Sequence, residues 1–361
     1  MNRKLYQAVG RPLAPLYSFM MRVREQFYRN GVLATTTLPV PVISVGNLML
    51  GGTGKTPLVQ HLARLLQRHG FQPAIISRGY GGATKERVNI VSDGRQVRLE
   101  ASYVGDEPRL LAETLPGVLV LTGVVRKLPA AQAVEMGANV LLLDDGFQHL
   151  AVRRDLDLVL FNADELAGNS RVFPGGDLRE PVRALYRAHA FVLTGVEEAN
   201  IARAVRFKNM LQEKFPGKQV FFSGSRAIGL VRQDVNGQRM QVLPKELGGR
   251  RCFAFCGIAR PEGFQKTLKQ LAIEPVAFKA LADHHVYKER AVQHLLQAAA
   301  SARADCLLCT EKDLVKLRGL AVNCTLKLPL YGVIMQAAPE SSLDKLVLNY
   351  AAGKKQWLPQ T

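Results

Sequence analysis

From Val40 to Thr194 the chain repeats one pattern. Short runs apolar at every position, "VPVISVG", "PAIIS", "VLVLTG", "NVLLLDDG", "DLVLFNA" and "AFVLTG", alternate with stretches of helical spacing, the first from Lys55 to His69. A strand that is apolar on successive residues is covered on both faces, as in a mostly parallel sheet with crossover helices. The pattern therefore predicts an α/β domain over 36–228. Next, Asn236-Gly237 separates two strand-like segments in "GLVRQDVNGQRMQVLP". Asn-Gly is a strong two-residue hairpin signal, so a two-stranded β-ribbon is expected over 229–250, joining two halves and able to act as a hinge. "CFAFCGIA", "EPVAFKA", "DCLLCTEKD" and "LKLPLYGV" then alternate again with helical stretches and predict a second, smaller α/β domain over 251–361.

The first 35 residues differ from the rest. After Pro12 and Pro15, Leu16, Phe19, Met20, Val23 and Phe27 fall at helical spacing, flanked by Arg22, Arg24, Arg29 and two tyrosines. Such a basic amphipathic helix either packs its stripe on the protein or lays it on an anionic lipid surface, where apolar burial and headgroup attraction add. Both readings stand at this point.

Length and charge sharpen the picture. A chain of 361 residues suits two cores better than one. Lys and Arg number 48 against 30 Asp and Glu, a net charge of +18, which favours anionic partners: nucleic acid, phospholipid surfaces or phosphorylated substrates. No helix-turn-helix, zinc-finger or RNA-recognition signature is evident, so no nucleic-acid partner is expected. The chain lacks a signal-peptide pattern and any run of about 18 apolar residues, so it is expected in the cytoplasm, touching a membrane only at its surface. Of five cysteines, Cys252, Cys256, Cys306 and Cys309 lie in apolar strand-like runs and Cys324 stands alone. That context favours buried thiols in a reducing compartment over a zinc site.

The candidate chemistry begins at "NLMLGGTGKTPLV". Gly54, Lys55 and Thr56 complete a phosphate-binding loop, and Gly51, Gly52 and Thr53 precede them, although Met49 stands where the first glycine usually falls. Such a loop aims backbone N–H groups and a helix N-terminus at phosphates, with Lys55 on the β- and γ-phosphates of a nucleotide and Thr56 toward Mg²⁺. Met49 can be tolerated there if the loop enters by a different path. Asp144 and Asp145 close the buried run "NVLLLDDG" and suit a metal-binding role.

The motifs "SVGNLMLGGTGKTP", "ISRGYGG", "VGDEP", "LLLDDGFQH", "GDLREP", "CGIARPEGF", "ADHH" and "TEKD", in that order from Ser44 to Asp313, resemble the tetraacyldisaccharide 4'-kinase family. The resemblance implies a P-loop kinase domain over 36–228 and a membrane-surface helix within 1–35. It also implies ATP- and Mg²⁺-dependent phosphorylation of a lipid A precursor, a tetraacyl disaccharide 1-phosphate, at its 4'-hydroxyl, on the cytoplasmic face of the inner membrane. It matches Asp106 and His284 to a pair that prepares the hydroxyl, with Lys55 beside them in catalysis. Glu107, Asp144 and Asp145 match an acidic metal cluster with Thr56. Arg78, Tyr80, Arg126, His149, Arg179 and Glu180 match substrate or active-site positions, and arginine's planar fork suits a sugar phosphate. His285 directly follows His284, and only the resemblance selects the first. "TEKD" reads as a helix N-terminal box.

A membrane-associated partitioning-type ATPase is the alternative, since it also joins a Gly-Gly-x-Gly-Lys-Thr loop to a lipid-binding helix. Leu50 occupies the position of that class's additional lysine. A regulatory GTPase would need an Asn-Lys-x-Asp guanine reader, and none is present.

Overall fold

The computed structural model describes residues 3–233, 239–321 and 328–353; the Asn236-Gly237 turn and Cys324 lie outside them. The described strands are β1 (Val42–Asn47), β2 (Pro73–Ser77), β3 (Asn89–Asp93), β4 (Leu119–Thr122), β5 (Val140–Asp144), β6 (Leu156–Asn162) and β7 (Ala190–Thr194), then β8 (Gln219–Gln233), β9 (Arg239–Val242), β10 (Cys252–Cys256), β11 (Ala277–Ala280), β12 (Cys306–Thr310) and β13 (Leu330–Pro339). All belong to one sheet in the order β11-β10-β12-β13-β8-β7-β6-β1-β5-β2-β4-β3, with β9 beside β8.

Pairing is parallel from β8 through β7, β6, β1, β5 and β2 to β4, and again among β11, β10, β12 and β13. The two parallel sets meet where β13 runs antiparallel to β8. β8 pairs with β7 at its start and with β9 at its end, so one strand spans both sets. Ile334 and Met335 face Gly229 and Ala227, which leaves Ile228 as an extra residue. A bulge bends and twists its strand, and this one lies at the boundary expected for the ribbon.

β1, β5, β6 and β7 are buried on both faces, as continuous apolar runs require. On one face of the first set Leu58, Leu62 and Leu66 of helix Lys55–Arg68 pack with Leu111 and Leu115. Leu343, Val347 and Ala351 of helix Ser341–Gly353 join that same core, so the last described helix returns to the first set of strands. Cys252, Cys256, Cys306 and Cys309 are buried in β10 and β12, as their apolar runs foretold.

Because the two sets are antiparallel to each other and the joining strand bends, their C-terminal edges face one another. Crevices outside strand C-termini are where open α/β sheets bind ligands.

Candidate active site

Beyond β1 the chain does not turn at once. Met49 forms an antiparallel bridge with Leu178, the Leu50 N–H donates to the Asp177 carbonyl at 2.7 Å, and the Arg179 N–H donates to the Leu48 carbonyl at 2.7 Å. Met49 is thus buried in a short ribbon before the loop, a place that needs a packed side chain and no glycine. This is the different entry path. The turn is made later, by Gly51 at φ 118° and Gly54 at φ 74°, values that only glycine adopts without strain. The Thr194 hydroxyl donates to the Thr53 carbonyl at 2.8 Å and fixes the loop from β7. Helix Lys55–Arg68 starts immediately, so its unpaired N–H groups and positive end open on the loop. The Lys55 ammonium donates to Asn47 Oδ1 at 3.4 Å and lies 3.5 Å from Asp145.

The acids around this loop are not equivalent. Asp144, ending β5, accepts from the Ser77 hydroxyl at 3.3 Å, while its Oδ1 is buried with no hydrogen-bond partner. Burial, then the charge of Glu107, pushes its carboxyl up to about 7. Asp145 has φ 53° and receives the Arg179 guanidinium at 2.6 Å. Burial would raise Asp145 as well, but Lys55, Arg179 and Arg126 together hold it at about 2. Glu107 accepts from the Thr56 hydroxyl at 3.5 Å and is ion-paired with Lys312, whose charge holds its carboxyl below the ordinary value. Among the described residues no three carboxylate, imidazole or thiolate groups converge as a ready-made metal cluster.

Asp106 and His284 come from opposite sets of strands and meet. Asp106 opens helix Asp106–Thr114; His284 follows β11 in a left-handed conformation at φ 52°, its N–H bonded to Asp283 Oδ1 at 3.0 Å. His284 Nδ1 lies 3.1 Å from Asp106 Oδ2, and the Tyr80 ring stands edge-on to the imidazole at 5.9 Å. Burial would raise the Asp106 carboxyl, but the His284 hydrogen bond and the charges of Lys312 and Lys316 hold it at about 2. The same hydrogen bond raises His284 above the usual histidine value. His285 points elsewhere: its ring packs on Tyr287 at 5.0 Å, and burial lowers its proton affinity. The geometry therefore puts His284, not His285, on Asp106.

A cleft of about 1110 Å³ joins the phosphate loop to His284, with Arg78, Tyr80, Arg126, Arg179 and Glu180 also in its wall. Arg126 is buried and its Nε lacks a partner. Glu180 is clamped by Arg187, with Arg24 at 3.7 Å. His149 is not in that wall; burial and the charges of Arg126, Arg154, Arg24 and Arg78 push its imidazole down to about 4. Helix Ala14–Arg29 docks at this end, the Tyr17 hydroxyl donating to the Arg179 carbonyl at 3.1 Å and Arg24 to the Gln148 carbonyl at 3.0 Å. Leu16, Phe19 and Met20 of the same helix stay 60%, 59% and 55% exposed. One face of the helix is thus a dock and another is uncovered.

Several cleft residues escaped the reading of the sequence. Arg260, after β10, donates to Asn162 Oδ1 at 2.7 Å and to the Gly52 carbonyl at 3.2 Å, reaching the phosphate loop from the far set. In "TEKD", Thr310 and Asp313 form half of the expected box, the Asp313 N–H donating to Thr310 Oγ1 at 3.2 Å while the Asp313 carboxylate takes the Thr310 hydroxyl and the Gly257 N–H. Between them Glu311 is ion-paired with Arg239, and Lys312 crosses to Glu107. The motif itself was the signal for Lys312; its partner lies far away in sequence.

A family model described as tetraacyldisaccharide-1-P 4'-kinase, LpxK, matches residues 6–352. The chain belongs to that family. Tetraacyldisaccharide 4'-kinases of Desulfotalea psychrophila and Syntrophus aciditrophicus are 44% and 40% identical to it over 346 and 356 residues, spanning 96% and 93% of this chain and 97% and 92% of those proteins. A crystal structure of LpxK from Aquifex aeolicus, described as an "apo" form in complex with ATP, matches with a TM-score of 0.73 at 32% identity, covering 94% of this chain and 97% of that one. In this member of the 4'-kinase family no described helix is long and apolar enough to cross a membrane.

Proposed function

We infer that the chain is the lipid A 4'-kinase its family names, transferring the γ-phosphoryl group of ATP to the 4'-hydroxyl of a tetraacyl disaccharide 1-phosphate. One observation carries the residue roles: the phosphate loop on one set of strands opens on the same cleft as an Asp106–His284 pair completed from the other set. Lys55, the loop N–H groups and the N-terminus of helix Lys55–Arg68 hold the phosphates. As the acceptor oxygen bonds to phosphorus and the bond to the β-phosphate oxygen breaks, the hydroxyl proton passes to the Asp106–His284 pair and ADP departs. His284 faces the cleft, and Asp106 strengthens its hold on a proton, so the imidazole is where that proton comes to rest. Arg78, Arg126 and Arg179 suit the acceptor's phosphate, and Tyr80 and Glu180 its sugar hydroxyls.

The donor set fits Mg²⁺. Asp144 Oδ1 is a buried, unpartnered oxygen, and the Thr56 hydroxyl with the Glu107 and Asp145 carboxylates completes a hard, all-oxygen group. Mg²⁺ takes one or two carboxylates and keeps its remaining positions for phosphate and water, so a tighter protein cluster is not required. When bound there it would offset the charge of the phosphates.

The exposed Leu16, Phe19 and Met20 with their arginine flank suit peripheral attachment to the anionic surface of the inner membrane, where an acylated acceptor resides. The units 1–35, 36–228, 229–250 and 251–361 then serve as membrane helix, P-loop kinase domain, hinge ribbon and C-terminal domain, except that helix Ser341–Gly353 packs in the core of the kinase domain and belongs with it; closure of the two domains would exclude water from the phosphoryl group.

The test is transfer of labelled γ-phosphate from ATP to a tetraacyl disaccharide 1-phosphate in mixed micelles with Mg²⁺. Wild type should transfer, and Lys55→Ala and Asp106→Ala should each lose about 10²–10⁴-fold in kcat. Absence of transfer, with vesicle-stimulated ATP hydrolysis instead, would favour a partitioning-type ATPase.

A further inference from the structure

Lys312 is a cationic group in the cleft that the phosphate-loop reading leaves without a task. It lies in the first turn of helix Glu311–Ala321, just beyond β12, on the set of strands opposite the loop. Its side chain crosses the cleft to Glu107, the acid that also accepts from the Thr56 hydroxyl beside Lys55. The attraction of Glu107, Asp106 and Asp144 outweighs burial and keeps its ammonium firmly charged. The base of that helix is rigidly set: Asp313 accepts from the Gly257 N–H at 3.0 Å, the Tyr287 hydroxyl at 2.9 Å and the Thr310 hydroxyl at 2.7 Å. A fixed cation, aimed from the far edge at the mouth of a phosphate loop, has the placement of a charge that stabilises a transferring phosphoryl group.

Its present partner also matters. Glu107 is one of the oxygens assigned above to Mg²⁺, and the inference rests on that assignment. A carboxylate in a tight ion pair with an ammonium is a poor ligand for a divalent cation until the pair opens, while an ammonium leaving a carboxylate needs another anion.

We propose that Lys312 is a further catalytic residue, which exchanges Glu107 for the transferring phosphoryl group as nucleotide and cation enter the cleft. The exchange has a defined charge balance. The cation takes over Glu107, the ammonium takes over phosphoryl oxygens, and no proton moves. Because Lys312 and Lys55 stand on opposite edges of the cleft, full stabilisation of the phosphoryl group then requires both sets of strands to engage one nucleotide.

Two measurements on the full-length protein test this. The first is binding of Mn²⁺, as a paramagnetic probe of the cation site, without nucleotide. Lys312→Met should bind Mn²⁺ about tenfold more tightly than wild type because the competing ammonium is gone, and Lys312→Arg should not. The second is single-turnover phosphoryl transfer with saturating ATP: Lys312→Met should lose about 10²–10³-fold in rate while the ATP dissociation constant changes by less than about tenfold, with partial recovery in Lys312→Arg. Unchanged Mn²⁺ affinity together with an unchanged transfer rate in Lys312→Met overturns the proposal. Thr56→Ala, Glu107→Gln and Lys55→Ala separate the two levels of inference. If those variants also keep full activity, the reading of the site itself has failed; if they collapse while Lys312→Met transfers normally, only the role of Lys312 has.

Discussion

Asp313 is fully buried, yet it is a carboxylate with four partners, and its removal should be among the most damaging single changes outside the apolar core. It accepts from the Gly257 N–H, the Tyr287 hydroxyl and the Thr310 hydroxyl, and the Lys316 ammonium lies 3.1 Å from it. Asp313→Ala strands these donors in a dry site. Each unsatisfied buried donor costs about 1–3 kcal/mol, and breaking one side of a buried ion pair costs about 3–5 kcal/mol. The costs overlap as neighbours relax, so about 5 kcal/mol is expected for the whole. Asp313→Asn keeps the shape and one acceptor oxygen, and should cost roughly half as much. Chemical denaturation followed by far-UV circular dichroism measures both. A double-mutant cycle sharpens the test. Lys316→Met removes the stranded ammonium, so Asp313→Ala in that background should be milder by about 1–3 kcal/mol. A loss below about 1 kcal/mol for Asp313→Ala, or strict additivity in the cycle, would refute the reasoning. Transfer activity should fall with stability here, because the same helix presents Lys312 to the cleft and Lys316 to Asp106.

Two further outcomes follow from groups nearer the N-terminal half. His149 titrates at about 4 in the fold against an ordinary 6.5, so between those values the unfolded chain binds a proton that the folded chain refuses. Stability should therefore fall as pH drops through that window, and His149→Gln should flatten the slope of the urea midpoint between pH 7 and 5. On the membrane side, Leu16→Glu and Phe19→Glu should each weaken sedimentation with anionic vesicles by at least about tenfold, from the loss of roughly 1.5–3 kcal/mol of apolar burial per side chain. Their transfer to a detergent-dispersed acceptor should change far less, and an equal loss in both assays would assign the two residues to the catalytic unit instead.

The parallel strands and the loop after β1 were legible because a strand buried on both faces must be apolar at every position, whatever it packs against. Met49 was not. Its side chain is buried against a segment around Leu178, and no local pattern announces a partner so distant. The same limit hid the return of helix Ser341–Gly353 to Leu58 and Leu62, since an apolar stripe says that a face is covered and not by what. Asp106 and His284 came from resemblance; spacing alone gave them no connection. "TEKD" reads as a local box, and that holds for the bonds between Thr310 and Asp313, although the Asp313 carboxylate also takes the distant Gly257 N–H and Tyr287 hydroxyl. It is incomplete for Glu311 and Lys312, whose partners Arg239 and Glu107 belong to other parts of the fold.

The residues that meet across the cleft owe their distant pairing to one structural cause. β8 runs from β7 to β13, and its antiparallel pairing with β13 reverses the direction of every strand beyond it. Had that junction been parallel, the loops after β10, β11 and β12 would open on the same edge as the phosphate loop and stand beside it. Reversal with a bend sets them opposite it, so Arg260 meets Gly52, His284 meets Asp106 and Lys312 meets Glu107 across a gap. A phosphoryl group in transfer carries charge on all its peripheral oxygens and needs positive groups on more than one side, with water kept out. One edge of one sheet approaches it from one direction only. Two facing edges surround it, and the cross-cleft ion pairs hold those edges in register through charges that a phosphorylated ligand can in turn engage.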